Sequence, residues 1–224
     1  MQILWLLAML PVGVVAGCGA VYILNHIPAA WLCDYGQEPT GVLAEPGAQR
    51  ISGMPWKLVF SGFFAVCGAY IVTLGGRGMA YAVPLLVCVW LLLMIAVADG
   101  KFMVIPDQFV VFLVLMSAAF LPFGARLLDM LKGAAVGAGL MLVVAIVGWL
   151  ISGREALGFG DVKLMFAIGL CAGFNGTVAI MAAGSVLAGI WFAVGLLTRR
   201  LQKTDMLPLG PFLAGAAMAW LVLL

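Results

Sequence analysis

Between Arg77 and Asp99 no side chain carries a charge, and comparable apolar runs recur along the whole chain. Crossing the hydrocarbon core takes about 20 such residues, with a range of ~17–25, because backbone polar groups there must be satisfied within a helix. On that criterion the spans fall at 3–24, 57–75, 79–98, 107–123, 132–152, 162–174, 176–198 and 207–224. The predicted fold class is therefore all-α, a polytopic integral membrane protein of about eight transmembrane helices. A re-entrant sixth run, the shortest, reduces the number to seven. Composition agrees, since 66% of the residues are hydrophobic and 9% charged, more apolar than a soluble domain requires. A net charge of +2 gives no electrostatic basis for nucleic-acid binding. The bilayer is the expected surrounding, and oligomeric state is not readable.

The distribution of charge predicts orientation. Arg50, Lys57, Lys101, Arg154, Lys163, Arg199, Arg200 and Lys203 fall in or beside the loops after the first, third, fifth and seventh spans, whereas the other side holds only Arg77, Arg126 and Lys132. The positive-inside rule puts the richer set in the cytoplasm and both termini outside. Residues 1–78 then read as two helices joined by a short cytoplasmic loop, and 79–224 as a six-helix core. Val15-Ala16-Gly17-Cys18 imitates a lipoprotein cleavage site, but the apolar run continues past it and no basic residue precedes it. An uncleaved first helix is expected. Cys18, Cys33, Cys67, Cys88 and Cys171 form no C-x-x-C pair, so neither a metal site nor a cofactor is expected from them. Gly133, Gly137 and Gly139 predict close helix approach, the first two at Gly-x-x-x-Gly spacing.

Two acids stand out against this background. Asp99 ends the run Ile95-Ala96-Val97-Ala98, and Asp161 sits in Gly158-Phe159-Gly160-Asp161 just before the sixth span. Ionisable groups at membrane depth are expensive and suggest a functional site. The topology puts both on the cytoplasmic face. Two carboxylates brought together can share a proton and activate water. Gly100 is expected to let the third helix stop, Pro106 to start the fourth, and Asp107 to favour its N-terminus. Gly158 and Gly160 are expected to supply backbone conformations closed to other residues and room for an extended substrate. Bland alternatives exist: Asp99 as an acid solvated by headgroup water, Asp161 as a helix cap.

At these residues the chain resembles the type IV prepilin peptidases. Asp99-Gly100-Lys101-Phe102-Met103-Val104-Ile105-Pro106-Asp107 is similar to the family's first aspartate motif. Gly153-Arg154-Glu155-Ala156-Leu157-Gly158-Phe159-Gly160-Asp161-Val162-Lys163-Leu164 resembles its Gly-x-Gly-Asp block, and Leu207-Pro208-Leu209-Gly210-Pro211-Phe212-Leu213-Ala214 its C-terminal Pro-x-Gly-Pro segment. The resemblance implies an aspartyl endopeptidase of the bacterial inner membrane with Asp99 and Asp161 as the catalytic pair. Its implied substrates are prepilins or pseudopilins, cut after a glycine that follows a short basic leader, on the cytoplasmic side. Gly158, Gly160, Pro106, Asp107 and Lys163 are the implied supporting residues. Glu155 and Asp107 suit attraction of the basic leader, although solvated loop acids are commoner. Lys163 suits orienting a carboxylate or touching headgroups.

Many bacterial members also N-methylate the new N-terminus and carry a longer loop after the first span, often with two zinc-binding C-x-x-C pairs. Here that region, Asn25 to Trp56, has Cys33 as its one cysteine, which argues against zinc and against methylation. His26, the sole histidine, reads as an interfacial residue. The competing reading is a small ion- or proton-coupled transporter with Asp99 and Asp161 as ligands, which predicts acids facing each other at the midplane. A third is a catalytically inactive assembly factor.

Overall fold

The structure is a computed structural model that describes residues 2–33, 47, 50–51, 53–73, 78–153, 157–201 and 207–223. Among these residues it is all-α, with seven α-helices: α1 (Gln2–His26), α2 (Gly53–Thr73), α3 (Gly78–Phe102), α4 (Asp107–Ser117), α5 (Leu127–Ser152), α6 (Phe159–Leu197) and α7 (Gly210–Leu223). Short 3-10 turns follow α1 and α4. Five helices, all but α4 and α7, are long and apolar enough to cross a membrane. They are apolar all round. Leu140, Leu142, Val143, Val144 and Ile146 of α5, for example, are all exposed, as expected where the solvent is lipid rather than water. This is a polytopic membrane protein.

The runs expected at 162–174 and 176–198 both fall within α6, which is two helices joined across a non-helical break at Gly173. A straight helix of its 39 residues would be roughly 58 Å long, about twice the hydrocarbon thickness. It is not straight. Gly173 has φ 68° and ψ −175°, a conformation open in practice to glycine alone. A methyl group built on Gly137 would lie 2.6 Å from the Met165 carbonyl oxygen and 3.0 Å from the Thr177 side chain. Residues twelve apart in a straight helix are about 18 Å apart along the axis, so both can flank Gly137 only if the chain folds back at Gly173. The Thr177 hydroxyl donates to the Gly173 carbonyl at 2.6 Å just after this break.

The chain forms two compact units, 1–90 with 221–224, and 91–220. In the first, α1 and α2 meet where glycines leave room: a Cβ on Gly13 would lie 2.6 Å from the Ala65 nitrogen, and one on Gly17 would strike Ser61. The Trp90 indole N–H donates to the Ala16 carbonyl at 3.1 Å. The His26 ring stacks on Tyr22, centroids 4.1 Å apart, and its Nδ1 lies 2.8 Å from the Tyr22 carbonyl oxygen. In the second unit, Gly133 packs on the backbone of Gly169 and Gly173, and Gly137 on that of Met165. Gly139 differs from expectation: a side chain there would meet open space, since it lies off the face that α5 turns towards α6.

Candidate active site

Every residue of the site lies in the unit 91–220. The third helix runs on through Asp99, Gly100 and Lys101 to Phe102, so Gly100 does not end it as the sequence suggested. A charge ends a run of hydropathy but not a ladder of backbone hydrogen bonds. The stop comes at Met103, whose φ of 55° is left-handed and whose N–H donates to the Asp99 carbonyl at 2.8 Å. The chain then extends to Pro106, at φ −66° and ψ 121°, which precedes α4. The Pro106 carbonyl accepts the Phe109 and Val110 N–H groups at 3.1 and 3.4 Å, the role expected at a helix start.

Asp161 lies in the first turn of α6, preceded by Gly158 at φ −70° and ψ 143°. Neither glycine of the Gly-x-Gly-Asp block uses a left-handed backbone, which corrects the sequence expectation. Gly158 is extended and Gly160 is helical. Their value is space: a Cβ on Gly160 would come within 3.2 Å of the Ile105 Cβ, so the glycine lets the start of α6 sit against the loop after α3. The left-handed glycine of this region is Gly153, at φ 65°, which closes α5. Glu155 and Arg154 lie outside the described residues, as do Arg77 and Lys203.

The two acids are both buried, Asp99 at 5% and Asp161 at 9% exposure, and they lie within electrostatic reach of each other. Their partners differ. Asp99 Oδ2 accepts the Gly210 N–H at 2.9 Å, whereas Asp161 Oδ1 has no hydrogen-bond partner among the described residues. A buried polar atom without a partner costs about 1–3 kcal/mol, and it leaves an oxygen ready for an incoming molecule. Lys163 does not orient Asp161. Residues two apart on a helix point to different faces, and its Nζ instead binds both oxygens of Asp107 at 2.9 Å, with the Phe159 ring 5.2 Å away. Asp107 is thus a helix-start acid that is also ion-paired across to α6.

Two polar groups escaped the sequence reading. Gln108, beside Asp107, buries its Oε1 without a partner among the described residues, and nothing in a lone glutamine signals that. Gly210 reaches Asp99 through its backbone. Its block, Pro208 to Pro211, marked it as part of a motif, but not which group it serves.

Residues 86–194 match the sequence model of the Type IV leader peptidase family. The matched segment, 109 residues, is just under half of the chain. It holds both Asp99 and Asp161. Among curated relatives, a prepilin leader peptidase/N-methyltransferase of Bacillus subtilis is 33% identical over 148 residues, covering 62% of this chain and 55% of the relative. Its namesake in Stutzerimonas stutzeri is 31% identical over 145 residues, covering 62% and 48%. One from Klebsiella pneumoniae is 34% identical over 144 residues, covering 60% and 61%. The chain spans about half the length of the first curated relatives it matches. No solved structure matches the protein. Within the matched segment Asp99 lies in the last turn of α3 and Asp161 in the first turn of α6, both buried and within electrostatic reach of each other.

Proposed function

We propose that the protein is a membrane-embedded aspartyl endopeptidase that removes a short basic leader from prepilin-like or pseudopilin substrates, with Asp99 and Asp161 as its catalytic pair. The observation that carries this reading is the burial of two carboxylates within electrostatic reach of each other, one of them with an oxygen that has no partner among the described residues. Charges so placed are expensive unless the pair shares a proton, and a dyad holding one proton is the form that peptide hydrolysis uses. The family match over 86–194 and the names of the relatives support leader removal as the reaction.

The chemistry follows from the pair. The carboxylate takes a proton from a water molecule as its oxygen bonds to the scissile carbonyl carbon. The protonated partner donates a hydrogen bond to the carbonyl oxygen. Collapse of the tetrahedral intermediate breaks the C–N bond, and a proton passes to the departing amine. A coupled pair titrates as a unit, so the two acids exchange roles over the cycle. Gly158, where an added Cβ would approach only Asp161 Oδ2, at 3.9 Å, among the described residues, leaves a path for an extended backbone beside Asp161, while Gly160 lets Ile105 close against the start of α6. Pro106 and the Lys163–Asp107 pair hold the start of α4 beside α6. We place the site at the cytoplasmic face of a bacterial inner membrane, with both termini outside, on the loop charges described above.

The test is co-expression, in bacterial membranes, of the protein with a prepilin-like substrate bearing a basic leader, a glycine and an apolar helix. Mass spectrometry of the substrate should find one new N-terminus directly after the glycine. An intact substrate in membranes where the protein accumulates, together with Asp99-dependent ion flux in vesicles, favours the transporter reading instead.

A further inference from the structure

On the peptidase reading, we infer that Gly210 is a positioning residue of the catalytic pair. Its N–H fixes Asp99, and its missing side chain makes room for that carboxylate. The first turn of a helix has N–H groups with no acceptor inside the helix. In α7 they are distributed in a particular way. Pro211 has no N–H, and Phe212 and Leu213 donate to the Leu209 carbonyl at 3.1 and 3.2 Å. The Gly210 N–H is directed at Asp99 Oδ2, 2.9 Å away and buried.

The approach is as close as glycine allows. A Cβ on Gly210 would lie 2.5 Å from Asp99 Oδ2 and 3.0 Å from its carboxyl carbon. Pro211 packs beside the same turn of α3, 3.5 Å from where a Gly100 side chain would begin. The N-terminal end of a helix also carries partial positive charge, which favours an acid placed there. With Oδ2 held, the other Asp99 oxygen remains for the reacting water, and Asp161 Oδ1, without a partner among the described residues, for the substrate. The bond thus makes the two acids inequivalent before substrate arrives. It also gives the C-terminal helix a part in the chemistry although neither aspartate lies on it.

The experiment uses the purified full chain in detergent and a synthetic peptide with a basic leader, a glycine and an apolar segment, with kcat, KM and thermal midpoint measured for each variant. Gly210→Ala has to push Asp99 aside by about 1 Å to reach ordinary contact, a displacement that lowers kcat on the order of 100-fold with little change in KM. Gly215→Ala, on the same helix but facing open space, should behave as wild type. Gly184→Ala is the packing control: its Cβ would lie 2.9 Å from Leu213 Cδ2 and 3.2 Å from Leu213 Cα, straining α7 without touching Asp99. Its activity should follow its folded fraction, whereas that of Gly210→Ala should fall well below its own.

If Gly210→Ala does not fold, glycolic acid in place of Gly210, introduced by nonsense suppression, removes the N–H and adds no atoms. It should lower kcat roughly tenfold or more. Wild-type kcat in that ester variant, or in a folded Gly210→Ala, overturns the inference, as does loss of activity that matches the folded fraction. A wild-type protein that cuts nothing overturns the peptidase reading itself, a result separable from either.

Discussion

Adding one methyl group at Gly133 should cost more stability than the same change six residues later at Gly139 gains. A Cβ at Gly133 would press on the Gly169 carbonyl and lie 2.6 and 2.7 Å from the carbonyl carbon and oxygen of Gly173. Ordinary contact begins near 3.5 Å, so the two helices have to separate by about 1 Å. The opposing atoms are backbone, at the fold-back of α6, and cannot rotate away. Overpacking of this kind costs about 1–3 kcal/mol, and alanine's better helix propensity returns up to ~1 kcal/mol. A net loss of about 1–2 kcal/mol is expected. Gly139 faces open space, so Gly139→Ala keeps only the propensity gain, about 0.5–1 kcal/mol. The propensity gain is common to both variants, so the gap between them is the overpacking cost, about 1–3 kcal/mol, roughly a 5- to 150-fold ratio of folding constants. Unfolding in mixed micelles titrated with a denaturing detergent, followed by tryptophan fluorescence, measures it. Variants equal within about 0.5 kcal/mol would refute the close packing of α5 on α6 and the argument built on it.

Met103→Gly should not lower the thermal midpoint, because it releases a left-handed non-glycine residue worth ~1–2 kcal/mol of strain and the side chain is mostly exposed. Met103→Val should lose more than about 1 kcal/mol at the same position, since a β-branched residue tolerates positive φ worse. The Lys163–Asp107 pair, whose side chains are 37% and 38% exposed, should give a coupling of about 0.2–1 kcal/mol in a Lys163→Met, Asp107→Asn double-mutant cycle. A coupling well above that range would mean the pair is far drier than it stands here.

How much of this was legible beforehand differs from residue to residue. Asp99 and Asp161 stood out because the chain is so apolar that an acid inside it needs a reason, and the structure buries both; their shared membrane face is an expectation from the loop charges. The helices were readable for the same reason, as hydropathy alone marks a span. Their ends were not: α3 continues past Asp99 because Gly100 and Lys101 keep its hydrogen bonds intact. The fold-back in α6 hides in Gly173, one glycine among 29 in the sequence. Lys163 and Asp107 meet across 56 positions, and no local pattern reports a pairing of that kind. Gly210 acts through a backbone N–H, a group every residue but proline carries, so only the three-dimensional approach to Asp99 distinguishes it.

The proposed peptidase requires Asp99 and Asp161 to work as one unit. The most direct test is the cleavage rate of a prepilin-like substrate with wild type, Asp99→Asn, Asp161→Asn and the double variant, each quantified for folded protein in the membrane. Members of a catalytic unit are non-additive, so each single variant should be as inactive as the double one while accumulating normally. A single variant that cleaves at the wild-type rate, or two partial losses that multiply in the double variant, would contradict the shared-proton pair.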